Sequence, residues 1–219
     1  MTKKMLQQLL RKHLEEFIYP RPPDLEYEIR IGSNVAGSYK AGVDSDVFDR
    51  ITERIDAAAN LDKNIMAGEW NQFVDRYWSM ETGMRYRTRT YFDTNMCTMS
   101  STTICKKTLF TASAPCNNDI ACLVCKSRET PIDVTRISTH TTLNTSLSIR
   151  KRFTFEFPTN NATLFLDCTL RWFGDTIGAC EKLYEEGSPP QRSIELEIDE
   201  IGSLKNETIA SVVDQVIVW

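Results

Sequence analysis

In residues 23–33, PDLEYEIRIGS, apolar and charged side chains alternate along the chain. The apolar side chains occupy the odd-numbered positions from 25 onward, while Glu26, Glu28 and Arg30 occupy even-numbered positions. This period of two residues is that of a β-strand with one apolar and one charged face. A second stretch of the same kind, RSIELEIDEIG, lies near the other end of the sequence. Each stretch alone fits a solvated edge strand, but two of them with basic strands between favour a shared charged interior.

The composition is that of a globular protein. The 219 residues are 41% hydrophobic and 26% charged, and we expect a single domain over residues 1–219. No apolar run approaches the roughly 20 residues that span a bilayer, and the N-terminal segment lacks the core of a signal peptide. Seven cysteines at irregular spacing suit a reducing compartment. We therefore expect no membrane association and an intracellular location, in the host cytoplasm or nucleus, or in the virion if the protein is viral.

Three helices and eight strands are predicted. Hydrophobic periodicity of three to four residues indicates helices in residues 3–18, in DSDVFDRITERIDAAAN and in NETIASVVDQVIVW. Strand patterns follow the opening stretch in QFVDRYW, GMRYRTRTYF, TTICKKTLFTA, ACLVCKSRE, SLSIRKRFTFEF, ATLFLDCTLRWF and SIELEIDEI. Because the helices do not alternate with the strands, we predict an α+β fold in which an antiparallel eight-stranded β-barrel carries a few flanking helices.

Basic residues concentrate on the middle strands and acidic residues on the terminal strands. Arg85, Arg87 and Arg89 share one face of GMRYRTRTYF, and Arg150 and Arg152 share one face of SIRKRFTFEF. Closing such a sheet into a barrel can turn the charged faces inward, with carboxylates on one wall and guanidinium groups on another. An interior of this kind is costly when empty, because closely set like charges repel one another.

A divalent cation and a polyphosphate would together neutralise such an interior. Mg²⁺ and Mn²⁺ prefer carboxylate and water oxygens, and arginine presents a planar donor fork that matches phosphate oxygens. Phosphoryl transfer depends chiefly on positioning and on electrostatic stabilisation of the transition state, which a metal ion and several cations supply without a covalent nucleophile. The charge pattern therefore indicates phosphoryl-transfer chemistry with Mg²⁺ or Mn²⁺ as the cofactor.

An E-x-E strand near the start, basic strands in the middle and a closing E-x-E strand resemble the triphosphate tunnel metalloenzymes, in particular the RNA 5′-triphosphatases of fungal and DNA-virus mRNA capping systems. The resemblance lies in LEYEIRI, RYRTR, CKSRETP, SIRKRFTF and SIELEID, in the family's order across nearly the whole sequence. YRTR, KKT and KSRE are also similar to the N-terminal triphosphatase region of the baculovirus-type capping subunit. In the basic strand, Ser148, Arg150 and Arg152 occupy positions where the family commonly has Arg-x-Lys-x-Arg.

The resemblance implies an eight-stranded tunnel that hydrolyses the γ-phosphate of a triphosphate RNA end, with NTP as a further substrate. The diphosphate end would pass to a guanylyltransferase domain or subunit, and residues 1–219 would be the N-terminal part of a larger capping enzyme. The implied metal ligands are Glu26, Glu28, Glu195 and Glu197. Glu129 would orient or deprotonate the attacking water. The implied phosphate ligands are Arg87, Arg89, Lys126, Arg150 and Arg152, and further substrate contacts are assigned to Arg85, Lys106, Lys107, Lys151 and Arg171.

Several alternatives are open at the level of sequence. Other tunnel enzymes act on inorganic triphosphate, thiamine triphosphate or ATP, and a tunnel without catalysis would be a binding module for a triphosphate or an RNA end. Cys122 and Arg128 have the C-x₅-R spacing of cysteine-dependent phosphatases, but no glycine lies between them. Cys122 and Cys125 form a C-x₂-C pair without the second pair that a zinc site needs. We therefore expect Cys122 and Cys125 to be half-buried cysteines of a β-strand, without a catalytic or metal-binding role.

Overall fold

Eight antiparallel strands close into a barrel in the computed structural model of the protein, which describes residues 24–79, 85–92, 98–132, 144–160, 162–200 and 206–217. The strands are β1 (Leu25–Val35), β2 (Ser38–Lys40), β3 (Ile65–Ser79), β4 (Arg85–Phe92), β5 (Thr98–Pro115), β6 (Ile120–Pro131), β7 (Asn144–Phe157), β8 (Ala162–Gly174) and β9 (Gln191–Glu200). The helices are α1 (Ser45–Ala59), α2 (Ile177–Glu185) and α3 (Asn206–Ile217), with a short 3₁₀ helix at Pro158–Asn160. The helix predicted over residues 3–18 lies outside the described residues.

The barrel strands follow the order β1-β6-β5-β4-β3-β7-β8-β9, and β9 pairs again with β1. Each neighbouring pair in this ring is antiparallel. The short strand β2 pairs with the end of β1 and stands outside the closed ring. Each of the eight strands predicted from the sequence supplies one barrel strand. The prediction of an α+β fold with an eight-stranded antiparallel barrel is therefore confirmed.

The apolar face of β1 points out of the barrel and forms the main core of the protein. Tyr27, Ile29 and Ile31 are at most 4% exposed, and they belong to one apolar cluster with Phe153 of β7 and Leu196 of β9. Helices α1 and α3 contribute their buried side chains to the same cluster. Because successive side chains of a strand point to opposite sides, the glutamates between these residues point into the barrel.

Helices α1 and α3 bury the apolar stripes that the sequence predicts. Phe48, Ile51 and Ile55 of α1 are buried, as are Ile209 and Val213 of α3. Both helices therefore cover the outer face of the barrel with side chains spaced three or four residues apart. None of the helices in the described ranges is long and apolar enough to cross a membrane.

Helix α2 is a feature that the sequence analysis did not predict. The side chain of Thr176 caps it by accepting a hydrogen bond from the backbone N–H of Ala179, at 3.2 Å. Cys180 is the buried residue of this helix, and it packs in a second apolar cluster with Val74 and Leu147. A single buried position leaves no periodic apolar stripe, so hydrophobic periodicity could not identify this helix.

Gly32 allows β2 to fold over the inner face of β1. A side chain at this position would place its Cβ only 2.5 Å from the ring of Tyr39, so the ring needs the space that glycine leaves. Tyr39 in turn lines the interior of the barrel beside Arg30. The glycine that follows EYEIRI therefore helps to close one end of the charged interior.

We expect Leu196→Ala to lower the free energy of unfolding by about 3 kcal/mol, because truncating a fully buried leucine removes apolar contacts and leaves a cavity. Leu196 is 1% exposed, at the centre of the cluster between the barrel wall and the helices. Urea unfolding followed by circular dichroism measures the change. Leu61→Ala is the matched control, since Leu61 is 90% exposed and should tolerate truncation. Equal stability of the two variants would contradict the position of the core.

Candidate active site

The charged inner faces of the barrel strands surround one cavity of about 1120 Å³. Most of the site residues predicted from the sequence line it, although they lie far apart in the chain. These residues are Glu26, Glu28, Arg85, Arg87, Arg89, Lys106, Glu129, Arg150, Arg152, Arg171, Glu195 and Glu197. Barrel closure is therefore what brings the acidic and basic motifs into one site.

Five glutamates on three neighbouring strands form an acidic wall. Glu26 and Glu28 lie on β1, Glu195 and Glu197 lie on β9, and Glu129 lies on β6. The register sets Glu28 directly opposite Glu197. Because opposed residues of adjacent strands point to the same side of a sheet, these two carboxylates share the interior as neighbours.

The ammonium group of Lys106 lies among three carboxylates of the acidic wall. Its Nζ forms an ion pair with Glu26, and it lies 3.0 Å from Oε1 of Glu129 and 3.6 Å from Oε2 of Glu28. Ser127 also donates a hydrogen bond to Glu26, at 2.9 Å. Burial alone would raise the pKa of Glu26, but the charge and hydrogen bond of Lys106 outweigh it and lower the pKa.

A second contact inside the acidic wall connects Glu28 with Glu195. Nη2 of Arg30 donates to Oε2 of Glu28 at 2.9 Å, and its Nε lies 3.9 Å from Oε1 of Glu195. Nη2 of Arg171 lies 3.7 Å from the other oxygen of Glu195. Burial, followed by the charge of Glu195, raises the pKa of Glu28 to about 7. At Glu195, burial would raise the pKa, but the charges of Arg171 and Arg30 outweigh it and lower the pKa.

Asp167 of β8 fixes two arginines of the basic strand β7. Nε and Nη2 of Arg152 donate to the two oxygens of Asp167 at 2.7 and 2.8 Å, and Nη2 also donates to Glu197 at 2.8 Å. Arg150 donates to Asp167 at 3.1 Å and to the hydroxyl of Tyr91 at 3.2 Å. Paired acceptors of this kind hold a guanidinium plane in one orientation.

Two solved structures resemble this chain over nearly its whole length. The S. pombe RNA triphosphatase Pct1 aligns with 99% of this chain and 85% of its own, with a TM-score of 0.63 and 12% identity. The RNA triphosphatase domain of a trifunctional mimivirus mRNA capping enzyme aligns with 99% of this chain and 94% of its own, with a TM-score of 0.60 and 15% identity. The chain has the fold of the tunnel RNA triphosphatases. No protein-family model and no curated protein matches the sequence, so the likeness is one of fold.

Three of the predicted lysines lie on the outer face of the tunnel. Lys126 shares that face with Tyr27, and its Nζ lies 5.4 Å from the centre of the tyrosine ring. Lys151 forms an ion pair with Asp56 of α1 at 2.6 Å. Lys107 is exposed, on the opposite side of β5 from the inward residue before it. Strand alternation therefore keeps all three away from the interior, and we remove them from the proposed site.

The cysteine-phosphatase alternative does not fit the tunnel. Cys122 is fully buried in the apolar cluster outside the barrel wall, and Arg128 is on the outer face, paired with Asp24 at 2.7 Å. Both residues belong to the extended strand β6, whereas a thiolate phosphatase needs a loop that wraps around the phosphate.

In the described part of the chain, no group of three or more His, Cys, Asp or Glu side chains has the arrangement of a metal site. The glutamates of the acidic wall contact lysine and arginine side chains instead.

Arg89 is held by a buried carboxylate that the sequence analysis did not identify. Its Nε and Nη2 donate to the two oxygens of Asp75 at 2.8 Å each, and Tyr77 donates to the same carboxylate at 3.0 Å. The guanidinium carbon also lies 4.1 Å from the centre of the Phe73 ring. Burial would raise the pKa of Asp75, but the hydrogen bonds and charge of Arg89 outweigh it and lower the pKa.

Two other tunnel residues were also missed, for different reasons. Arg30 continues the charged face of EYEIR two residues beyond Glu28, so the same period of two could have identified it. Tyr91 lies at the end of its strand pattern, and its contact with Arg150 joins strands that are not neighbours in sequence. No local signal predicts such a contact, because it depends on the strand order of the closed tunnel.

We expect Asp75→Asn to lower the free energy of unfolding at pH 7 by about 3–5 kcal/mol, because it leaves the Arg89 guanidinium without its charged partner in a buried site. The contribution of Asp75 is present above the pKa of an unfolded Asp, about 3.9, and is lost as the pH falls below it. The difference between wild type and variant should therefore shrink between about pH 4 and pH 2. Urea unfolding across this range measures it.

Asp49→Asn is the control for this measurement, because Asp49 is exposed on α1. Its unfolding free energy should stay within about 0.5 kcal/mol of the wild type at each pH. If Asp75→Asn behaved like this control, the buried ion pair would not contribute to the stability of the tunnel.

Proposed function

We propose that the protein is a metal-dependent RNA 5′-triphosphatase, which hydrolyses the γ-phosphate of a triphosphate RNA end and leaves a diphosphate end. The observation that carries the proposal is the register of the closing strands, which sets Glu28 opposite Glu197 inside a tunnel that also carries inward arginines. The acidic wall shares the cavity with a basic wall, formed by the inward arginines of β4 and β7, and the two walls suit a cation and a polyphosphate bound side by side. The fold shared with two RNA triphosphatases is consistent with this function.

The acidic wall fits a hard divalent cation by its donor chemistry. Glu26, Glu28, Glu195 and Glu197 offer carboxylate oxygens, which Mg²⁺ and Mn²⁺ prefer. Burial and then the charge of Glu195 raise the pKa of Glu28 to about 7, and a cation bound beside this carboxyl would favour its charged form. These four side chains would hold the ion once their ion pairs with lysine and arginine rearrange. When bound, the ion would neutralise phosphate oxygens and stabilise the charge that develops on the leaving group.

Two arginines of the tunnel carry donors that a phosphate would satisfy. Among the described residues, the buried Nε atoms of Arg30, Arg87 and Arg171 have no hydrogen-bond acceptor. Arg30 already donates through Nη2 to Glu28 on the acidic wall, which leaves Arg87 and Arg171 for a phosphate. A buried donor without an acceptor costs about 1–3 kcal/mol, and the cost is larger for a charged group. A phosphate oxygen placed between the walls would remove this cost. We therefore assign these two arginines to substrate binding, with Arg85 as a further ligand at the cavity surface.

Arg150 and Arg152 would stabilise the transition state from fixed positions. Asp167 holds both guanidinium groups before any substrate binds. Donors that are already oriented toward developing charge need no reorganisation during the reaction, which is the main source of electrostatic catalysis. The Asp75 contact orients Arg89 in the same way, so we assign Arg89 to the basic wall as a fixed positive charge.

We assign to Glu129 the role of acting on the attacking water. Its Oε1 lies 3.0 Å from Nζ of Lys106 and 3.9 Å from Nη2 of Arg87, at the boundary between the acidic and basic walls. A water held at this boundary would be oriented by the carboxylate and would face the phosphate bound by the arginines. Glu129 would then accept its proton as the oxygen attacks phosphorus.

The size of the cavity favours an RNA end over a small inorganic substrate. At about 1120 Å³, the cavity is slightly larger than the roughly 300–1,000 Å³ of typical small-ligand sites. A triphosphate alone would leave room for the first nucleoside, and an NTP would fit for the same reason. The diphosphate RNA end is the substrate of a guanylyltransferase, so we propose such a domain or subunit as the partner, inside the cell where mRNA is capped.

We expect phosphate release from triphosphate-ended RNA to require Mg²⁺ or Mn²⁺ and to stop in EDTA. Glu28→Gln and Glu197→Gln should each lower turnover by roughly 10²–10³, because glutamine keeps the shape of the side chain and removes the charge that binds the cation. Cys122→Ser is the matched control, since this buried residue lies outside the tunnel and should leave turnover intact. Malachite-green detection of released phosphate measures all of these rates.

Competition with ATP and with inorganic triphosphate ranks the substrates in the same assay. The proposal requires RNA ends to be hydrolysed in the presence of both competitors. Turnover that persists in EDTA and disappears in Cys122→Ser would indicate a thiolate mechanism instead. Binding of triphosphate-ended RNA without hydrolysis would leave a binding module, and a preference for inorganic triphosphate would change the assigned substrate.

A further inference from the structure

We propose that the ammonium group of Lys106 occupies the position among the carboxylates of the acidic wall that a divalent cation would take, and that Lys106 would withdraw toward the basic wall when the cation binds. This inference rests on the proposed function, because it requires a metal ion at Glu26 and Glu28. It assigns to Lys106 a role in metal binding, in addition to the contact with substrate that the sequence predicts.

The Nζ atom of Lys106 lies next to carboxylates from two strands, β1 and β6. The residue lies on β5, with Arg85 opposite it on β4 and Glu129 opposite it on β6. Its side chain continues past β6 to the glutamates of β1, where its Nζ pairs with Glu26 and lies 3.6 Å from Glu28. The ammonium group is therefore surrounded by carboxylate oxygens, as a metal ion at these residues would be.

An ammonium ion and a divalent cation exclude each other from the same set of oxygens. Both are attracted by the same lone pairs, and their like charges repel at such short range. Lysine suits this exchange, because its ammonium is a compact charge on a flexible four-carbon chain that can withdraw. Arg152 is different, since the two oxygens of Asp167 hold its guanidinium group in place even when its contact with Glu197 rearranges.

Displacement of Lys106 would also change the surroundings of Glu129. The same ammonium lies 3.0 Å from this carboxylate, which we assign to the attacking water. Withdrawal toward Arg85 and Arg87 would free the carboxylate for water and would add a positive charge where phosphate binds. Lys106 would thus contribute its charge to triphosphate binding only after it has left the acidic wall.

The proposal has two thermodynamic consequences with opposite directions. Lys106 stabilises the state that the metal must displace, so removing its charge should strengthen metal binding. The same substitution should destabilise the metal-free protein, because Glu26, Glu28 and Glu129 then lose their shared counter-ion. A lysine that only binds phosphate would not produce this combination.

The first experiment titrates Mn²⁺ and follows the free ion by electron paramagnetic resonance. Lys106→Met should bind Mn²⁺ about tenfold more tightly than the wild type, the change that about 1.4 kcal/mol produces. Without metal, the same variant should unfold at a lower temperature. Lys107→Met is the matched control, because it removes the neighbouring exposed lysine and should change neither quantity. Glu28→Gln should weaken Mn²⁺ binding.

The second experiment uses the wild type, so it does not depend on whether Lys106→Met folds. Brief treatment with acetic anhydride, followed by mass spectrometry, measures how accessible each lysine amine is. Acetylation of Lys106 should be several times faster with Mn²⁺ than without it, and EDTA should reverse the difference. Acetylation of the exposed Lys107 should not depend on the metal.

The outcomes separate this inference from the proposed function. Mn²⁺ binding in the wild type with no gain in Lys106→Met, or with no change in Lys106 acetylation, would overturn the displacement of Lys106 and leave the metal site intact. An absence of Mn²⁺ binding in the wild type would overturn both, because the metal site itself would fail. Tighter binding in Lys106→Met together with metal-dependent acetylation is the result that supports the inference.

Discussion

The pairing of β1 with β9 is the contact on which the rest of the structure depends. It closes the barrel, and because side chains alternate, it also determines which charges meet inside. A slip of one residue would turn Glu195 and Glu197 outward and bring Ile194 and Leu196 into the interior. The apolar cluster outside the wall opposes such a slip, since Leu196 would lose its buried position. The register that places the carboxylates is therefore held by hydrophobic contacts on the outer side of the barrel wall.

Inside the barrel, most charges are balanced by a partner on a neighbouring strand. Arg89 pairs with Asp75 across β4 and β3, and Arg152 pairs with Asp167 across β7 and β8. Buried ion pairs gain little net stability, because the desolvation of both groups offsets their attraction. Their effect here is orientation: they fix the direction of each guanidinium group before a ligand binds. The less rigid contacts, above all those of Lys106, are the ones that a stronger cation can replace.

Strand alternation made much of this site predictable from the sequence. The period of two correctly placed Glu26 and Glu28 on one face of β1, and it placed Arg150 and Arg152 together on β7. It could not decide which lysine of the KKT segment points inward, because that depends on the register of β5 with strands far away in the sequence. Asp75 was missed for a related reason, since its partner Arg89 lies on another strand and only pairing shows the contact. Helix α2 lacked an apolar stripe altogether.

The helices of the described chain are not distributed evenly around the barrel. Helices α1 and α3 pack in the apolar cluster formed by the outer faces of β1, β6, β7, β8 and β9. This cluster lies on the opposite side of the barrel wall from the glutamates of the tunnel. On β4 and β5, the described outer face instead carries a buried hydroxyl pair, Thr88 with Thr103 at 2.8 Å. Among the described residues, the carboxylates of the tunnel are thus backed by apolar contacts with helices, whereas the strand that carries Arg87 is tied to β5 on its outer side by a polar contact.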